Sequence, residues 1–255
     1  MLANYHTHTE RCMHAEGKDR EYIKNAIKHG MKVLGFSDHC PWIYPDGYIS
    51  GIRMSPNEVD EYFSSLTALK KEYKKDITIY IGFEAEYIPE LIDEQDRFLA
   101  DYPVDYMIMG QHHYKPENKA VYIGNSTYDE SILEKYVNSA IEGMETGRYK
   151  YIAHPDLCNF IGDKKIYIKH YTRLCEYLKL KNTPIEINML GLVTNRHYPS
   201  AEFLKIAQKT GNTAIIGCDA HFPDMLSDSY GIDQCRKLAE KYSLELVDYI
   251  PGLEP

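Results

Sequence analysis

Eleven histidines occur in 255 residues, and most stand where chemistry is done. His6 and His8 form an H-x-H pair as the first apolar run ends. His39 closes GFSDH, His113 lies just past IMG, His154 closes YIAH, and His221 ends GCDAH. Acids stand at equivalent places: Glu84 in GFEAE, Glu186 beside Asn188 in IEIN, and Asp219 two positions before His221. In extended backbone, residues i and i+2 point to one face. His6-Thr7-His8 and Asp219-Ala220-His221 therefore each aim two side chains the same way. Imidazole plus carboxylate is ligand chemistry for zinc, iron or manganese. One H-x-H alone describes an exposed polar strand equally well; its coincidence with His39, Glu84, His113 and His154 at strand ends carries the metal reading. His29 and His170 fall in helical segments and read as ordinary.

Something must bring these residues together. Short apolar runs read as buried strands at Leu2–Tyr5, Val33–Ser37, Ile77–Phe83, Tyr106–Met109, Tyr149–Ala153, Ile185–Asn188 and Thr213–Gly217, with Leu244–Tyr249 as a late eighth. Helical periodicity fills the intervals. Val59, Tyr62, Phe63, Leu66, Leu69 and Tyr73 recur at three- and four-residue steps after Ser55-Pro56-Asn57-Glu58, a capping box with proline at the first helical position. Ile132 to Met144 forms a second stripe, and segments near 18–29, 164–181, 199–210 and 232–242 also read as helices. Alternating strand and helix predicts an α/β chain of parallel units, closed as a (β/α) barrel or open as a doubly wound sheet. The absence of G-x-G-x-x-G after the first strand weakens the second form. In a barrel the strand ends that carry the histidines are the face where active sites assemble. The irregular stretches Cys40–Met54 and His112–Tyr128 are placed to fold over that mouth. No linker or repeat divides the chain, so residues 1–255 read as one domain.

Composition narrows the function. With 29 Lys+Arg against 38 Asp+Glu, the formal charge of −9 opposes binding to nucleic acid or an anionic membrane. No segment approaches the roughly 18 apolar residues of a membrane span, and MLANYHTHTE lacks the basic and apolar parts of a secretory signal, so a cytoplasmic location is expected. Six cysteines without a CxxC pair read as reduced, buried thiols. A serine-hydrolase elbow is absent, and a glycosidase pair would leave the histidines unexplained.

The segments YHTHTERCMHAEG, GFSDHCPW, GFEAEY, MGQHHY, AHPDL, EINMLGL and GCDAHFP resemble, in order, the polymerase and histidinol phosphatase (PHP) superfamily, most specifically its histidinol-phosphatases. The resemblance implies a distorted seven-stranded (β/α) TIM-like barrel with three divalent ions (zinc, iron or manganese) at its mouth. Carried over by motif, His6, His8, Glu84 and Asp219 hold one ion, and Glu84 bridges to a second held by His113 and His154. His14, His39 and His221 hold the third. Of the adjacent His112 and His113, the family spacing after Gly110 favours His113, with His112 turned away by the pleat. Asp38 and Asp156 flank ligand histidines and are expected to orient them. In the loop INMLGLVTNRHYPS, Arg196 and His197 are the expected substrate contacts, a guanidinium being suited to phosphate.

The implied reaction is hydrolysis of L-histidinol phosphate to L-histidinol and inorganic phosphate in histidine biosynthesis. Metal-bound hydroxide near Glu84 is the expected nucleophile, with no covalent phospho-enzyme. The alternatives are a PHP phosphoesterase for another small phosphomonoester or nucleotide, and a non-catalytic metal-binding module.

Overall fold

A computed structural model describes all 255 residues. Six parallel strands form: β1 (Ala3–Asn4), β2 (Val33–His39), β3 (Thr78–Ala85), β4 (Tyr106–Met109), β5 (Ile185–Asn188) and β6 (Ala214–Gly217). They make a four-stranded sheet in the order β1-β2-β3-β4 and a two-stranded sheet, β5-β6. The long β2/β3 ladder sets the site's register, pairing Asp38 with Phe83 and His39 with Glu84. Apart from His39 of β2 and Thr78 and Tyr80 of β3, the strands are buried on both faces, the condition that turns parallel strands into near-continuous apolar runs.

The α/β organisation stands as expected, but a continuous seven-stranded ladder does not form. Tyr149–Ala153 lies beside β4 through one bridge, Met109 to Ile152, with Lys150 and Ala153 donating backbone bonds to Met107 and Met109. No backbone bridge joins this segment to β5. The physical reason is local. His154 takes a left-handed φ of 33°, which ends the extended run, and the Glu186 carboxylate receives the His154 N–H at 2.7 Å where a neighbouring strand's carbonyl would stand. On the opposite side a bridge from Thr7 to Ala220 joins the chain beyond β1 to the chain beyond β6. The expected eighth strand reduces to a single bridge, Ala214 to Leu246.

Eight helices accompany the sheets: α1 (Asp19–Lys28), α2 (Val59–Glu72), α3 (Pro89–Leu99), α4 (Glu130–Glu145), α5 (Lys164–Leu180), α6 (Met189–Val193), α7 (Ala201–Thr210) and α8 (Ser229–Lys241). The Ser55–Glu58 box forms and leads through a short turn into α2, which buries Val59, Tyr62, Phe63, Leu66 and Leu69. Fully burying each such side chain is worth about 1.5–3 kcal/mol. The sequence reading did not include α3. Its signals were Pro89 at the first helical position and buried Leu91, Gln95 and Leu99 at four-residue steps.

Two cores result. The larger packs helices against the sheets' outer faces. The smaller gathers Ala3, Tyr5, Val33, Tyr106, Ile108, Tyr151, Ala153 and Ile215 from four strands and the Tyr149–Ala153 segment, so it fills the space the strands enclose. Beyond its C-terminal end lies the histidine cluster.

Candidate metal centre

Glu84, one residue before the end of β3, is the hub. Its carboxylate is 1% exposed, and neither oxygen has a hydrogen-bond partner. Five imidazoles surround it. His39 Nδ1 and His154 Nε2 each stand 3.0 Å from a Glu84 oxygen, His112 Nε2 3.5 Å, and His6 and His8 Nε2 3.6 Å. Asp219 closes the group, its Oδ1 lying 3.4 Å from His6 Nε2 and 3.2 Å from His8 Nε2. Two of these residues, His154 and Asp219, have left-handed backbones (φ 33° and 51°), a departure that non-glycine residues keep mainly where function holds them.

A glycine makes room for the hub. A Cβ on Gly110 would fall 2.0 Å from Glu84 Oε1, so only glycine lets β4's continuation pass the carboxylate. Gly217 does the same for Glu186, where a Cβ would lie 1.8 Å from Oε1.

Buried acids orient the ligands from behind. His6 Nδ1 donates to Glu186 Oε1 at 2.9 Å, leaving Nε2 toward Glu84 and Asp219. Glu186 also accepts from Asn188 Nδ2 and the His154 N–H. Asp38 accepts from the Thr9 hydroxyl and N–H and from the His39 N–H, and lies 3.5 Å from His8 Nδ1. Carboxylates behind imidazoles fix the ring orientation that a metal needs.

A second group stands at the rim. The His14 ring lies 5.3 Å from that of His39 and 4.9 Å from that of His221, and the ring nitrogens of the three form one ligand-distance set. Met13, left-handed at φ 68°, ends a short turn over Glu10–Cys12 and brings His14 back. His14 Nδ1 donates to Cys12 O and His221 Nδ1 to Asp219 O, so each ring offers Nε2 outward. All six cysteines are buried and unpaired, as read from the sequence. Cys12 nevertheless sits at ligand distance from His8 and His221, a position its spacing did not signal.

Three expectations change. His112, not His113, faces Glu84. Tyr106 and Ile108 of β4 belong to the inner core, so even-numbered positions point inward through Gly110 to His112. His113 still borders the cavity, with its Nδ1 3.9 Å from Glu86. His197 does not line the cavity: its Nε2 donates to Leu157 O at 2.7 Å, a backbone anchor. Asp156 accepts from the Ser200 N–H at 2.7 Å, before α7, rather than from an imidazole, and burial raises its carboxyl to about 6. Arg196 does face the cavity, braced by a 2.6 Å bond to the Tyr198 hydroxyl. That cavity is about 340 Å³, the size of a small-metabolite site, with Ile52, Tyr122 and Phe222 also lining it.

Does the donor set fit metal ions? Among the eleven buried polar side-chain atoms without a partner are His6 Nε2, His8 Nε2 and both Glu84 oxygens, the four that face one another at the hub. Such orphaned atoms each cost about 1–3 kcal/mol unless something outside the chain satisfies them. Divalent ions, favoured by imidazole and carboxylate, would do so. The residues fit.

Electrostatics points the same way. Burial lowers the His6 imidazole, but Asp219, Glu186 and Glu84 outweigh it and raise it to about 10; His8 is likewise raised by Asp219 and Asp38 against burial. Burial and the neighbouring His8 lower His39 well below the ordinary histidine range and His221 to about 4. Burial would push up Glu84 and Asp219, yet the surrounding histidines hold both well below the carboxylate range. At neutral pH the metal-free site therefore holds protons on His6 and His8 that ions must displace. Metal loading at pH 7 is expected to release protons, read calorimetrically in buffers of different ionisation enthalpy, and to tighten as pH rises. Buffer-independent heats would contradict this. His6 stabilises the metal-free fold fully below its unfolded value near 6.5, and that contribution fades as pH climbs through about 10.

The family model described as the PHP domain matches residues 4–190. This chain belongs to the PHP domain family. Asp219, His221 and Arg196 lie beyond the matched PHP segment, yet fold into the same centre. The chain is 27% identical to a "Probable histidinol-phosphatase" of Deinococcus radiodurans over 87% of both chains. It is 25% identical to the histidinol-phosphatase of Lactococcus lactis over 98% of this chain and 95% of that one. In fold it is similar to the crystal structure of the L. lactis histidinol phosphate phosphatase complexed with zinc, L-histidinol and phosphate. The TM-score is 0.74 at 20% identity, covering 99% and 98% of the two chains.

Proposed function

We propose that this PHP-domain chain is a metal-dependent phosphomonoesterase that hydrolyses L-histidinol phosphate to L-histidinol and inorganic phosphate, a reading supported by relatives named "Histidinol-phosphatase" and "Probable histidinol-phosphatase". One observation carries the reading: a buried carboxylate with two unpartnered oxygens, ringed by five imidazoles and Asp219, opens into a small cavity that also holds Arg196. Three ions, of zinc, iron or manganese, suit the donors. His6, His8, Glu84 and Asp219 would hold one; Glu84, His112 and His154 the second; His14, His39 and His221 the third. Such ions neutralise phosphate oxygens and make water a competent nucleophile near neutral pH.

The chain's own residues do the rest. Glu186 and Asp38 fix the imidazoles of His6 and His8, so no reorganisation is needed when substrate enters. Arg196, held by Tyr198, presents a guanidinium to the phosphate, and Ile52, Tyr122 and Phe222 offer an apolar rim to the organic part. No side chain is required as a phosphate carrier. The two sheets with their bridging segments are read as a seven-stranded barrel opened between Tyr149–Ala153 and β5, in one domain over residues 1–255. Six buried, unpaired thiols support a reducing cytoplasm. No helix is long and apolar enough to cross a membrane.

Phosphate release from histidinol phosphate, p-nitrophenyl phosphate and nucleoside monophosphates tests the substrate. A preference for histidinol phosphate of about a hundredfold or more in kcat/KM is expected. A flat profile would replace this substrate with a broad phosphoesterase activity. Arg196→Ala should raise KM for the ester about 10- to 100-fold, the worth of a charge-assisted hydrogen bond. Unchanged kinetics would remove Arg196 from the site.

A further inference from the structure

Two positions beyond Glu84 lies a second buried carboxylate that the sequence reading left without a role. Glu86 is 1% exposed, and both its oxygens are fully engaged. Oε1 accepts from His112 Nδ1 at 3.1 Å and Arg53 Nη2 at 2.9 Å; Oε2 accepts from Arg53 Nη1 at 3.2 Å and Trp42 Nε1 at 3.0 Å. Arg53 is itself 3% exposed and also donates to Cys40 O and to Glu117, which gathers Tyr48 and Ser50. Stability alone does not account for this arrangement. A buried ion pair roughly cancels its own desolvation cost, and apolar side chains of equal volume do as well or better. What apolar side chains cannot do is hold His112.

We propose that Glu86 is a positioning residue of the metal centre. By accepting from Nδ1 it fixes the His112 ring with Nε2 turned to Glu84, the orientation a ligand needs. Arg53 pairs with the carboxylate and couples it to the Cys40–Met54 segment, whose Ile52 and Arg53 line the mouth. This rests on the reading that the Glu84 cluster holds metal.

The test is Zn²⁺ titration, against a chromophoric chelator, of stripped wild type, Glu86→Gln, His112→Ala and the double variant. Glu86→Gln should weaken one Zn²⁺ equivalent about 10- to 100-fold and lower kcat with little change in KM. In the His112→Ala background the same substitution should add nothing. Additive losses, or unchanged zinc affinity in a folded Glu86→Gln protein, would overturn the proposal. Because Glu86→Gln leaves Arg53 buried without its partner, the unmodified zinc-loaded protein supplies a second readout. Its ¹⁵N imidazole spectrum, with His112 assigned by its loss in His112→Ala, should show Nδ1 protonated and Nε2 bound to metal. A free His112 ring, or one bound through Nδ1, would overturn it too. Failure of wild type to take up zinc at all would instead sink the metal reading beneath it.

Discussion

Glu84→Gln is expected to lower kcat about a thousandfold or more and to cost the protein at least one bound metal per chain. The substitution preserves shape and removes only charge. That charge faces five imidazoles and, on the metal reading, is shared by two ions. Electrostatic stabilisation of this kind is worth several kcal/mol, and each 1.36 kcal/mol is a factor of ten in rate. The fold should survive, because the Glu84 side chain accepts no hydrogen bond from backbone or side chain. Metal analysis and steady-state kinetics on the folded variant decide the matter. Full metal content with wild-type turnover would show that Glu84 is not the hub.

Gly110→Ala is expected to damage the site almost as much while changing no charge. The new methyl would sit 2.0 Å from Glu84 Oε1 and 2.4 Å from Cδ, closer than any real contact. Glu84 is buried among its neighbours and cannot yield without leaving the histidines. Displacing a reacting group by about 1 Å costs on the order of a hundredfold in rate, and overpacking a tight site costs about 1–3 kcal/mol of stability. Gly51→Ala is the control, since a Cβ there meets nothing within 4 Å and the backbone is not left-handed. Equal activity in the two variants would mean that the carboxylate is not held as the structure shows.

The sequence displayed the skeleton of this centre because metal ligands are constrained twice, by residue type and by position at strand ends. His6, His8, His39, Glu84, His154 and Asp219 met both conditions, and the structure brings all six together. Where backbone leaves regular geometry, spacing stops predicting direction. The His113 expectation followed the family spacing after Gly110, whereas the regular inward alternation of Tyr106 and Ile108 continues through Gly110 to His112. His197 and Asp156 were read as functional from proximity in sequence, but loop backbone claims both as hydrogen-bond partners. The Arg53–Glu86–Trp42 network joins an irregular segment to a strand end, so no periodicity announces it. The barrel expectation overreached for a similar reason: counting apolar runs cannot reveal that Glu186 and a left-handed His154 interrupt one seam.

The central claim is that these residues act through bound divalent ions on a phosphate ester. Phosphate release from L-histidinol phosphate should be measured on one preparation as isolated, after exhaustive chelation, and after return of Zn²⁺, Mn²⁺ or Fe²⁺, with metal content determined at each stage. Turnover should vanish with the metal and return with at least one of the ions, in proportion to metal bound per chain. Undiminished turnover by a protein stripped of metal would contradict the account.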